Sequence, residues 1–167
     1  MKVSEISIEE IRNILKQVKD PEVPVLDIDE LGVLRYVNCE DEKIIITITP
    51  TYSGCPALQV MESEIEKVLK ENEIENFIIK TVFSPAWTTD WMSEVAKNKL
   101  REYGIAAPSQ STEEHLKSLL EGKPEHVTCP FCKSSETKLT SAFGSTACKA
   151  LHYCNHCHQP FEEFKCH

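Results

Sequence analysis

Two C-x2-C pairs stand near the end of the chain, Cys129-Pro130-Phe131-Cys132 and Cys154-Asn155-His156-Cys157, with 21 residues between them. Two residues between cysteines close a tight turn that aims both sulfurs at one ion. Two such knuckles face to face supply the tetrahedral thiolate set that zinc prefers. Iron uses the same four sulfurs, so zinc is expected on frequency alone. A site filled by four thiolates has no open position for water, which makes it structural rather than hydrolytic. His156, inside the second knuckle, and His158, just outside it, are alternative ligands, but the simpler reading leaves them facing solvent or bonded to a sulfur. The last 42 residues hold six of the eight cysteines and five of the six histidines. A segment of about 40 residues seldom buries enough apolar surface to fold alone, so a metal takes the place of a core.

Three thiols outside the knuckles carry further chemistry. Cys55 precedes Pro56 at the expected start of a helix, where unpaired N–H groups and the helix dipole favour a thiolate. Cys148 sits beside Lys149 in the run FGSTACKA, and Cys166 follows Lys165. A lysine neighbour helps form a thiolate, although free cysteines are more often small buried hydrophobes. All three are candidate reactive or iron-contacting thiols. Trp87 and Trp91 flank a helix start and read equally as packing against a sheet or as a partner-binding pair. Asp27 and Asp29, in a proline-bearing loop, read as solvated charges.

The elements that must position these groups follow from periodicity and caps. Ser7 and Glu10 form a capping box for a helix with Ile8, Ile11, Leu15 and Val18 on one stripe, stopped by Asp20-Pro21. Strands over 33–38 and 43–49 form a hairpin around Glu40-Asp41-Glu42. Pro56 opens a second helix with Leu58, Met61, Ile65, Val68 and Leu69 inward. A strand over 77–83 follows, then a helix capped by Thr89 or Asp90, reaching Tyr103 and closed by Gly104. A loop over 105–110 leads to a short helix boxed by Ser111 and Glu114. The expected architecture is α+β, a small mixed sheet with packed helices over residues 1–122 followed by a β zinc-ribbon domain over 123–167.

Composition limits the function classes. The formal net charge is −9, and all of it lies in residues 1–124, which carry 23 acids and 14 bases. Residues 125–167 balance four acids with four bases. Zinc ribbons that bind nucleic acid rely on clustered basic residues, so protein partners fit better here. Charges interrupt any apolar run in the first 20 residues, so no signal peptide is expected, and no stretch approaches the roughly 18 apolar residues of a membrane span. A reducing cytoplasm is the expected compartment, which disfavours disulfides.

Asp20-Pro21-Glu22, Leu31-Gly32, Gly54-Cys55-Pro56, the run SPAWTTDWM and the two knuckles occur in one order along the chain. In this it closely resembles the PaaD (PaaJ) family of phenylacetyl-CoA epoxidase components. The part up to about residue 105 resembles the wider SufT-type family of metal-sulfur cluster assembly proteins. The resemblance implies an accessory role beside the multicomponent monooxygenase of phenylacetate degradation, maturing the iron-sulfur cluster of its reductase component, with the oxygenase and reductase subunits as partners. It implies no catalysis by this chain. It assigns Cys55 as the loop cysteine for transient iron or iron-sulfur contact and Cys129, Cys132, Cys154 and Cys157 as zinc ligands. Two rivals remain: an adaptor that holds oxygenase components together without handling iron, and a thiol enzyme. The latter lacks a C-x-x-C outside the knuckles.

Overall fold

The computed structural model describes residues 6–108, 111–122 and 127–165. The chain divides into two compact units, Met1–Trp87 and Thr88–His167.

In the first unit, Ser7 caps α1 (Ile8–Leu15): its hydroxyl accepts from Glu10 N at 3.2 Å, and Ser7 N donates to the Glu10 carboxylate at 2.7 Å. The helix ends earlier than expected. Gln17 N and Val18 N bond the carbonyls of Ile14 and Leu15, three residues back, so the last turn tightens and Val18 is buried from outside the helix. Strands β1 (Leu34–Glu40) and β2 (Lys43–Ile48) pair antiparallel. Asp41 and Glu42 both take positive φ (48° and 59°), as the tight turn between twisted strands requires. Helix α2 (Ala57–Glu71) carries the chain to β3 (Phe77–Thr81), which lies parallel to β2, giving the mixed order β1-β2-β3. Ile44, Ile46 and Ile48 alternate inward and are fully buried, with Met61, Ile65 and Leu69 of α2 and Ile11 and Leu15 of α1 also in the core. Trp87 closes the unit, 3% exposed, its indole N–H donating to Leu31 O at 3.0 Å.

In the second unit, Thr88 caps a single 3-10 turn, Thr89–Trp91, and Ser93 caps α3 (Glu94–Tyr103) by accepting from Ala96 N at 3.0 Å. The cap expected at Thr89 or Asp90 therefore belongs to Ser93, because the chain extends at Met92 before re-entering helix. Gly104 ends α3 at φ +89°, a conformation that favours glycine. Next come β4 (Ile105–Ala106), α4 (Thr112–Leu120), β5 (Thr137–Ser141), β6 (Lys149–Cys154) and β7 (Pro160–Phe164). The Ser111–Glu114 box caps α4, with reciprocal bonds of 3.2 and 3.0 Å. The sheet order is β4-β7-β6-β5, with β4 parallel to β7 and the other pairs antiparallel.

One expectation is corrected here. The segment after Gly104 is not simply a loop, since Ile105 and Ala106 join the ribbon's sheet. The compact units divide after Trp87, and β4, hydrogen-bonded to β7, lies in the second of them. Lys123-Pro124, which the sequence marks as a linker, lies outside the described residues. Among the described residues no helix is long and apolar enough to cross a membrane.

Candidate functional site

The knuckles share one backbone pattern. Cys129 O accepts from Lys133 N at 3.0 Å, and Cys129 N donates to Ser134 O at 2.9 Å; Cys154 O accepts from His158 N and Cys154 N donates to Gln159 O, both at 3.0 Å. Lys133 and His158, each just after the second cysteine of its pair, turn through positive φ (65° and 60°). The sheet then brings the turns together. Cys154 ends β6, and Thr137 of β5, in register with it, donates its hydroxyl to Val127 O two residues before Cys129.

Cys129 Sγ lies 3.7 Å from Cys157 Sγ and Cys132 Sγ 3.5 Å from Cys154 Sγ, and all four sulfurs fall within 4.8 Å of one another. A tetrahedron of zinc–sulfur bonds near 2.3 Å has sulfur–sulfur edges of about 3.8 Å, so the set fits a tetrahedral thiolate centre. Cys129 and Cys154 are fully buried, Cys132 and Cys157 partly so, and they pack with Ala106, Val127 and Phe161. Crowding drives the Cys154 and Cys157 titrations apart. The Cys157 N–H and, more weakly, the His156 N–H help lower Cys154 to about 7. Burial first, then the sulfurs of Cys132, Cys154 and Cys129, push Cys157 up to about 12. One thiolate suppresses the next, and a bound cation removes that conflict. Of the two histidines, His156 is exposed and His158 Nδ1 faces the Tyr153 hydroxyl at 3.2 Å; the cluster that could hold a metal consists of the four cysteines alone among the described residues.

Cys55 lies in the other unit, between β2 and α2. Its N–H donates to Tyr52 O and its carbonyl accepts from Leu58 N, both at 3.2 Å, in the turn that opens the helix. The thiol is 8% exposed, and its acidity runs against expectation. Burial pushes it above its ordinary value, and the Glu22 and Asp20 carboxylates push the same way; the Ala57 N–H and the Thr51 hydroxyl pull back without prevailing. Asp20, which the sequence marks only as part of the Asp20-Pro21-Glu22 motif, is 6% exposed, and its Oδ1 accepts from Glu22 N at 2.8 Å and Val23 N at 2.7 Å. It thus fixes the loop that carries Glu22 into the field of Cys55. Asp27 is not solvated either: it is buried and accepts from Asp29 N and Glu30 N. Composition could not reveal this. An acid followed two or three residues later by a turn is the one available signal.

The remaining candidates separate. Cys148 is 2% exposed, its sulfur 3.1 Å from the Thr146 hydroxyl, and Lys149 turns instead to Glu162 at 3.4 Å and Ser145 Oγ at 3.3 Å. Cys166 lies outside the described residues. Trp87 is buried, as the packing reading expects, while Trp91 is partly exposed. The sequence did not signal the buried pair His152–Glu163, at 2.8 Å, with His152 stacked on Phe161.

Comparison with known proteins decides the family. A putative 1,2-phenylacetyl-CoA epoxidase component of Escherichia coli (strain K12), the one designated by the letter D, is 45% identical over 160 residues, covering 95% of this chain and 93% of its own length. The chain belongs to the PaaD family. Within this PaaD-family chain, residues 113–165 match the model of the PaaD zinc beta ribbon domain, and residues 8–75 match that of the iron-sulfur cluster assembly protein. The Bacillus subtilis (strain 168) Fe-S protein maturation auxiliary factor YitW is 37% identical over 91 residues, 53% of this chain and 88% of its own. The crystal structure of a domain of unknown function, DUF59, from Bacillus anthracis aligns with a TM-score of 0.52 at 32% identity, covering 56% of this chain and 90% of that one.

Proposed function

We propose that this chain is an accessory, non-catalytic protein of the phenylacetyl-CoA epoxidase system that matures the iron-sulfur cluster of the reductase component in the cytoplasm. The observation that carries the reading is the joining, in one chain, of an assembly-type unit containing Cys55 to a PaaD-type four-cysteine ribbon, with 45% identity to the Escherichia coli epoxidase component across 95% of the chain. Cys129, Cys132, Cys154 and Cys157 would hold a structural zinc, whose charge stabilises four thiolates that otherwise oppose one another's ionisation.

Cys55 is the contact for transient iron or cluster cargo. Burial first, and then the Glu22 and Asp20 carboxylates, raise its thiol pKa and leave it a protonated, quiet group at rest, while those carboxylates also supply the negative potential that draws a cation toward it. The epoxidase and reductase subunits are the expected partners. The acidic first unit and the neutral ribbon argue for protein rather than nucleic acid.

The adaptor reading, in which the chain only holds oxygenase components together, draws support from the low exposure of Cys55. One experiment separates them: co-express the epoxidase and reductase subunits with and without this chain, and measure iron and acid-labile sulfide in the purified reductase. Maturation predicts depleted iron and sulfide without the chain; the adaptor predicts a normal reductase and a complex that falls apart.

A further inference from the structure

We propose that the four-cysteine metal site holds in place not only the ribbon but also the α3–β4 arm before it, so that metal occupancy switches residues 94–106 between a packed and an open state. The inference rests on the zinc reading above and extends it to a segment outside residues 113–165, where the match to the ribbon model lies.

Neither element of the arm is long enough to persist by itself. Helix α3 spans ten residues, shorter than isolated helices that persist in water, and β4 spans two. What fixes its far end comes from the metal site's surroundings. Ile105 and Ala106 pair with Glu162 and Glu163 of β7, the strand that begins three residues after Cys157. Ala106 lies in the same buried cluster as Cys129, Cys154 and Phe161, against which Cys132 and Cys157 pack. Phe131, between the two cysteines of the first knuckle, lies so close to Gly104 that a Cβ there would come within 3.1 Å of the ring. The corner of the arm therefore rests on the knuckle itself.

Metal binding and the folding of its ligand loops are one equilibrium. When the ion leaves, the two knuckles lose the atom that ties them together, the first knuckle loosens, and Phe131 and β7 no longer present a fixed surface to Gly104 and Ala106. Linkage makes the effect reciprocal: damage to the arm's corner must weaken metal retention.

The test is amide hydrogen exchange of the full chain, zinc-loaded and after chelation, with metal content measured by elemental analysis. Chelation should accelerate exchange of residues 100–107 by about tenfold or more together with residues 149–164, and leave residues 44–48 of β2 unchanged. Gly104→Ala should release zinc to a competing chelator about tenfold faster than the parent chain, and Phe131→Ala, which adds no backbone strain, should release it faster as well. Protection of residues 100–107 that survives loss of the ribbon's protection overturns the coupling while leaving the zinc site standing. Release at the parental rate from both variants also overturns it. A chain that binds no metal when supplied with zinc overturns the coupling and the zinc reading together.

Discussion

The two units solve the problem of stability by different means. Among the described residues, the fully buried large side chains of the first unit include Ile44, Ile46, Ile48, Ile65, Leu15, Leu26, Leu31, Leu69 and Met61, whereas the second offers Leu100 and Phe164. The first unit has a continuous aliphatic core under its sheet and needs no ion. The second gathers alanines, cysteines and a few aromatics around four sulfurs, too little apolar surface for comparable stability. The difference teaches where each unit is vulnerable: the first to lost packing and buried polar contacts, the second to its metal.

The largest expected effect breaks the second unit alone. Chelation, or Cys154→Ser, should remove about one zinc per chain and unfold the ribbon. Structural zinc in small domains contributes about 10–16 kcal/mol of apparent binding energy, more than such a core supplies. Circular dichroism and calorimetry should then show the first unit's unfolding transition unmoved. A well-folded metal-free chain would erase the contrast.

Within the first unit, Asp20→Ala leaves the N–H groups of Glu22 and Val23 without their acceptor in a buried turn, and should cost about 1–3 kcal/mol in urea unfolding without changing zinc content. The ribbon has a milder polar contact of its own. Glu162 accepts from Ser145 N at 2.6 Å and faces Lys149 at 3.4 Å. Burial pushes its carboxyl up, but Ser145 and Lys149 outweigh burial and hold it below its ordinary value. Its stabilisation is therefore present above the ordinary carboxyl pKa of about 4.3 and is lost as pH falls through the lower folded value. Glu162→Gln should cost about 1 kcal/mol at neutral pH and flatten that acid dependence in metal-loaded protein. The smallest effect concerns charge: with neither unit carrying a basic excess, titration of labelled DNA or RNA at physiological salt should give no binding at low micromolar concentration.

What could be read in the sequence was what neighbouring residues decide. The Ser7–Glu10 and Ser111–Glu114 boxes, the hairpin turn at Asp41–Glu42, the inward stripe of α2 and the knuckle turns are all set within a few residues, and each appears in the structure. Features that depend on distant partners were not legible. Two residues, Ile105 and Ala106, carry no periodicity and become a strand only because β7 lies beside them. Trp87 is anchored by a carbonyl 56 residues earlier in the chain. The helix-start position of Cys55 suggested a lowered thiol pKa, but burial and two acids from the Asp20 loop reverse its sign. The four sulfurs were foreseeable because spacing alone builds each half of the site.

The central claim, that Cys55 handles iron or cluster cargo for the reductase, is tested most directly by Cys55→Ala in cells expressing the whole epoxidase system. The substitution removes one buried thiol and should change stability by about 1 kcal/mol, leaving zinc content intact. The reductase purified from those cells should be deficient in iron and acid-labile sulfide while the oxygenase subunits still assemble. Normal iron and sulfide in that reductase would contradict the claim.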